Sequence, residues 1–174
     1  MKILAFAASN SSQSINKKLI HYTASLFQNH EVEIIDINDY EMPIYSTDRQ
    51  MATGIPELAT TLGQKIDSSD LIMISFAEHN GSYVTAFKNI FDWLSVMKDR
   101  KTWGEKNMFL MATSPGPRGA IGVLEMAEKR FPFNGGHVVA TFSFPSFATN
   151  FKEEEGIILE EKKQELLSII ERIS

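Results

Sequence analysis

Four serines and two asparagines fall within residues 9–16, "SNSSQSIN", and no acidic side chain, lysine or arginine interrupts them. Placed directly after the apolar run "MKILAFAA", this stretch offers the hydroxyls of Ser9, Ser11, Ser12 and Ser14 and the amide of Asn16 as neutral donors. A helix starting here would add backbone N–H groups without internal partners and the positive end of its dipole, a combination that attracts an anion. The donor set suits a single terminal phosphate. The G-x-x-x-x-G-K-[ST] pattern that holds a triphosphate is absent, and so is the G-x-G-x-x-G of a dinucleotide site. The competing reading is a solvated loop in which Ser14 does no more than cap the helix.

Two further segments have comparable potential. In "AEHNGSYVTAFKNIFDW", from Ala77 to Trp93, His79 and Asn80 can present ring and amide donors to a flat heterocycle, and Gly81 lets the backbone approach it. A surface turn is the alternative for His79, and Ser82 could cap the helix that follows. In "ATSPGPRGAIG", two prolines stiffen the chain while Gly116 and Gly119 leave room for backbone amides to face a ligand edge. Amides aimed in that way stabilise negative charge that builds up on a ring. Arg118 could meet a phosphate or carboxylate. An ordinary strand-to-helix turn would look the same.

The elements that must position these segments are legible as apolar runs. Five of them, Lys2 to Ala8, Val32 to Ile37, Asp70 to Ala77, Asn107 to Thr113 and His137 to Phe144, read as continuously apolar strands, as expected for parallel strands covered on both faces. Helix-like spacing lies between them: Ile15, Leu19, Tyr22 and Leu26 form one stripe, and Phe87, Ile90, Phe91, Leu94 and Met97 another. Alternating strands and helices predict an α/β three-layer sandwich around a five-stranded parallel sheet in the flavodoxin-like order 2-1-3-4-5. Ligands of such sheets bind at the carboxyl ends of the strands, near the point where the order reverses. That places the site at the loops opening near Ser9, Glu78 and Ser114. The stretch from Asn38 to Gly54 is the nearest thing to a linker.

Composition narrows the function. A chain of 174 residues, 43% of them apolar, is expected to form a single domain over residues 1–174. It has no cysteine, which removes disulfides, thiolate metal sites and thiol redox chemistry, so any redox role needs a bound cofactor. A formal charge of −5 with no basic block argues against nucleic acid or an anionic membrane as partner. No apolar run reaches membrane-spanning length and no secretory leader precedes the first strand, so the cytoplasm is the expected location.

With these loops the chain resembles the NADPH-dependent FMN reductase family, which includes small quinone, azo and chromate reductases of flavodoxin-like fold. The family's first loop commonly reads G-S-x-R-x-x-S-x-N, and here Ser9, Ser14 and Asn16 stand at matching positions, with Ser11 in place of the arginine. The second motif, close to P-E-Y-N-x-S-x-P-G-x-L-K-N-x-I-D-W, is matched by Glu78, Asn80, Ser82 and the run from Lys88 to Trp93. Ala77, His79 and Thr85 depart from it. The stretch from Ser114 to Gly119 is similar to the family's Gly-rich segment beside the flavin ring.

The resemblance implies FMN as cofactor, with Ser9, Ser14 and Asn16 at its phosphate. The full cofactor-binding set is Ser9, Ser11, Ser14, Ile15 and Asn16; Ala77, Glu78, His79, Asn80 and Gly81; and Ser114, Pro115, Gly116 and Gly119. No side chain is assigned as acid or base, and no metal is expected. The implied activity is hydride transfer from NADPH or NADH to flavin and electron delivery to a quinone or similar small acceptor, in a homodimer or homotetramer. A flavodoxin-like FMN electron carrier without nicotinamide chemistry is the alternative. The helix from Ser82 to Lys98, apolar on one broad stripe and carrying an exposed-type Trp93, suggests subunit pairing that would wall the pocket, which favours the enzyme. A binding protein that has lost flavin is a third reading.

Overall fold

The computed structural model describes residues 1–174. In chain order the elements are β1 (Lys2–Ala8), α1 (Ile15–Ser25), β2 (Glu31–Asp36), a 3-10 turn (Ile37–Tyr40), α2 (Thr47–Thr53), α3 (Glu57–Ser68), β3 (Leu71–Phe76), β4 (Glu78–His79), β5 (Ser82–Tyr83) and α4 (Thr85–Ser95). They continue with β6 (Lys106–Thr113), α5 (Ile121–Arg130), a second 3-10 turn (Phe131–Asn134), β7 (Gly136–Phe144), α6 (Phe147–Asn150), β8 (Phe151–Lys152), β9 (Gly156–Ile157) and α7 (Glu160–Ile173). The five long strands form one parallel sheet in the order β2-β1-β3-β6-β7, the flavodoxin-like arrangement expected from the sequence.

Side chains alternate across each strand, so the sheet feeds two cores. Leu4, Phe6, Ile72, Ile74 and Phe76 face a core shared with α3, α4 and α5. Ile3, Ala5, Leu71 and Met73 face the opposite one, shared with α1 and α7. The central strands are continuously buried, as their apolar runs predict, whereas β2 and β7 alternate between more and less exposed positions. They are the edges of the sheet, covered less completely than the strands between them. No helix is long and apolar enough to cross a membrane.

Two segments differ from the sequence reading. Residues 38–54 are not a loose linker: the Asn89 amide donates to Met42 O at 3.0 Å and accepts from Tyr45 N–H at 2.8 Å, while Trp93 Nε1 donates to Pro43 O at 2.7 Å. Trp93 is fully buried by this anchoring, so it offers no face for subunit pairing. The helix expected from Ser82 starts at Thr85, because Ser82 and Tyr83 pair with Glu78 and His79 in a two-stranded hairpin. Its turn has Asn80 at φ 53° and Gly81 at φ 74°, the two positive values a tight hairpin turn requires. Ser82 therefore caps no helix; Val84 occupies the cap position and has no side-chain bond to the helix.

Candidate functional site

The first loop leaves β1 at Ala8 and enters α1 through Ser14, whose extended backbone and side chain make it the N-cap. Ser14 Oγ accepts from Lys17 N–H at 3.3 Å, so the capping role is real. It is not the whole role. Ser9 Oγ accepts from Ser11 N–H at 3.4 Å and Ser11 Oγ from Gln13 N–H at 3.2 Å, yet none of these three hydroxyls donates its own proton to any protein atom. The N–H groups of Ile15 and Asn16, in the first turn of α1, have no partner either. No acidic residue lies in that turn to neutralise the helix end.

Asn16 acts through the backbone of other strands rather than as a free donor. Its side chain is buried; Nδ2 donates to Thr113 O at 3.2 Å, and Oδ1 accepts from Thr113 N–H at 3.1 Å and from Ser75 Oγ at 2.7 Å. One amide thus ties the start of α1 to the carboxyl ends of β3 and β6. Thr113 Oγ1 continues the tie by donating to Phe144 O on β7 at 2.7 Å.

The third loop is held by its carbonyls. Gly116 O accepts from Ser146 N–H at 2.9 Å and from Ser114 Oγ at 3.2 Å, and Ser114 O accepts from Phe147 N–H at 3.1 Å. A Cβ on Gly116 would meet no protein atom within 4 Å, so its open side faces free space. Gly119 has a different reason to be glycine. Its φ is +57°, a Cβ would collide with Ser143 Oγ and lie 3.1 Å from the Phe144 carbonyl carbon, and its carbonyl accepts from Ser143 Oγ at 3.0 Å. It anchors the loop to β7.

These loops enclose an open cavity of about 290 Å³. It brings together Ser9, Ser11, Ser14, Ile15 and Asn16 from the first loop, Ala77, Glu78 and His79 from the second, and Ser114 and Pro115 from the third. Asn80 and Gly81 stand at the hairpin tip outside its lining, and Gly116 and Gly119 are not part of the lining surface. Gln13 and Thr113 line it without having been picked out in the sequence. Gln13 lies inside the polar stretch and was within reach of that reading; Thr113 ends a buried strand and carries no such signal. A larger groove of about 430 Å³ follows the other flank of α1, but its two lysines are already paired, Lys17 with Asp36 and Lys18 with Glu153.

The donor set fits FMN at one end and a flat ring at the other. Neutral hydroxyls with uncommitted protons, beside a helix start whose Ile15 and Asn16 N–H groups have no partner, suit a phosphate, and the open side of Gly116 leaves space for a planar group. The sequence profile of NADPH-dependent FMN reductases matches residues 1–149. The chain belongs to that family. FMN and a reduced nicotinamide are accordingly its cofactors, and it is the family match, not Trp93, that favours a reductase over a carrier.

Relatives of this FMN reductase include a protein of Mycoplasma pneumoniae described as uncharacterized, 32% identical over 143 residues that cover 77% of this chain and 81% of the relative. A 2-hydroxy-1,4-benzoquinone reductase from a Burkholderia species is 32% identical over 120 residues, covering 68% of this chain and 63% of that enzyme. The match thus spans less than two thirds of the quinone reductase. Among solved structures, FerB, a flavoenzyme NAD(P)H:(acceptor) oxidoreductase from Paracoccus denitrificans, superposes with a TM-score of 0.79 at 22% identity, covering 98% of this chain and 93% of FerB. That is a likeness of fold.

Proposed function

We propose that this family member is an FMN-dependent NAD(P)H oxidoreductase acting on a quinone or a similar small acceptor, as a homodimer or homotetramer. The observation that carries this reading is the trio of serine hydroxyls at the start of α1 that accept from the backbone and donate to nothing in the protein. FMN, when bound, supplies the hydride-accepting chemistry, which no side chain of the chain has to provide.

The protein's own residues then bind and orient. Ser9, Ser11 and Ser14 hold the phosphate by O–H donation, with the N–H groups of Ile15 and Asn16 beside them. The Asn16 side chain sets where α1 begins relative to β3 and β6, so the phosphate site and the ring site keep a fixed separation. Ala77, Glu78 and His79 on one side, with Ser114 and Pro115 on the other, wall the ring side. The acceptor class is supported by the Burkholderia relative, whose name specifies a benzoquinone.

Anaerobic mixing of the FMN-loaded protein with NADPH, and separately with NADH, tests the reading by the flavin absorbance band. The expected result is bleaching within seconds by at least one donor and recovery on adding a benzoquinone. Bound flavin that stays oxidised with both donors would make the protein a carrier.

A further inference from the structure

We propose that Glu78 is a positioning residue of the cofactor site: its carboxylate caps the start of α5 from the neighbouring loop and so fixes the two ring-side walls against each other. The inference rests on the FMN reading above. Glu78 Oε2 accepts from Val123 N–H, the third residue of α5, at 2.8 Å. Helix α5 needs an external partner there. Its N-cap is Ala120, in the left-handed conformation at φ 56°, with no side chain able to cap, and its first turn holds no acidic residue. Gly122 makes the approach possible: a Cβ at that position would stand 3.0 Å from Oε2 and 3.7 Å from Oε1.

The capped helix is the direct continuation of the loop that contains Ser114, Pro115 and Gly116, and the capping residue sits between Ala77 and His79. One hydrogen bond therefore spans the two walls of the ring side. The hairpin lies along α5 at a second point, where Ser82 Oγ is 3.9 Å from Met126 Sδ, and Glu78 is paired with Tyr83 across the hairpin. Removing the carboxylate leaves the weak thioether contact as the only polar-atom tie between hairpin and helix, beside the apolar packing of buried Tyr83, which has no directional bond to fix the wall spacing. Although Glu78 lines the cavity, its Oε2 is already engaged by Val123 N–H. Through that bond it shapes the slot.

The test compares Glu78→Ala with Glu78→Gln, whose amide oxygen can still accept from Val123 N–H. Affinities of the apoproteins for FMN and for riboflavin are measured by fluorescence titration, well below the temperature at which either variant melts. Glu78→Ala should weaken both ligands by the same factor, roughly tenfold or more, because the loss lies on the ring side and the phosphate contacts survive. Glu78→Gln should restore both to within about threefold of the parent, since the hydrogen bond is retained without the charge. A Glu78→Ala protein that melts earlier but binds both flavins like the parent would show that the cap serves stability alone and would overturn the proposal. Weakening of FMN with riboflavin unaffected would also overturn it, by placing the effect at the phosphate. A parent protein that binds no FMN would fail the functional reading itself, a result distinct from either.

Discussion

Helices α1 and α5 both start at the carboxyl edge of the sheet, one after β1 and the other after β6, yet their first turns are completed differently. At α1 the cap is the helix's own Ser14, no carboxylate approaches, and the hydroxyls around it keep their protons free. At α5 the chain provides no cap of its own and Glu78 brings a carboxylate to Val123 N–H. Each helix start favours an anion for the same physical reason. The protein satisfies one internally; on the function proposed above, the other is left for the FMN phosphate. Sequence context sets the choice: "SNSSQSIN" contains no acidic residue, and Gly122 in α5 clears the space that Glu78 enters.

Reversing the charge at α1 is the most damaging way to break this contrast. Ser14→Asp keeps a good N-cap, so the apoprotein should melt at or slightly above the parent temperature. A carboxylate against the phosphate should nevertheless cost on the order of 3 kcal/mol, roughly 100-fold or more in FMN affinity. Fluorescence titration alongside a thermal melt separates the two effects. Unchanged FMN affinity would remove the first loop from the site.

Asn16→Leu tests whether the edge of the sheet holds both helix starts in register. The substitution leaves Thr113 N–H and Ser75 Oγ without their shared acceptor in a buried position, which should cost about 2 to 4 kcal/mol in urea denaturation. The denaturant slope should stay the same, because the surface exposed on unfolding is unchanged. Gly116→Val probes the ring side more mildly. No protein atom lies within 4 Å of the new Cβ, so stability should hold while FMN binding weakens about tenfold. Equal FMN affinity would place the ring elsewhere.

How much of this was legible in the sequence differs from one loop to the next. The strand order followed from five apolar runs, and the cluster of free hydroxyls before α1 from a stretch of mostly small polar residues, because both are local signals. What Asn16 and Glu78 do was not local. Both are polar residues in loops that sequence reasoning assigned to the ligand, but the amide of Asn16 and the carboxylate of Glu78 are engaged with residues 97 and 45 positions away in the chain. Only the folded sheet edge brings those partners within reach. The hairpin turn was a different kind of omission. Asn80-Gly81 is a strong short-range turn signal, and reading Gly81 as room for a ligand overlooked the positive φ that the pair supplies. Likewise Asn89 and Trp93, which carry the resemblance in α4, act as anchors for Met42 to Tyr45 rather than as site residues.

The smallest expected effect concerns Lys17, the cation nearest the start of α1. Lys17 would oppose the helix dipole and could compete for the phosphate's neighbourhood, but its Nζ is bound to Asp36 at 2.5 Å. Burial pushes the Asp36 carboxyl upward. The hydrogen bonds from Lys17 and Asn38, with the charge of Lys17, outweigh that and hold its pKa below the ordinary 3.8. The folded state therefore binds this proton more weakly than the unfolded chain does. The pair's contribution is complete above the unfolded value and is lost as pH falls through the lower folded one. Because both side chains are partly exposed, solvent screens the interaction and the contribution is small. Asp36→Asn should leave stability near neutral pH almost unchanged and flatten its decline in the acid range, measured as melting temperature against pH. An equal acid slope in both proteins would mean that Lys17 is not held by Asp36. The phosphate end would then have a cation of its own, and the contrast between neutral donors at α1 and a carboxylate at α5 would have to be redrawn.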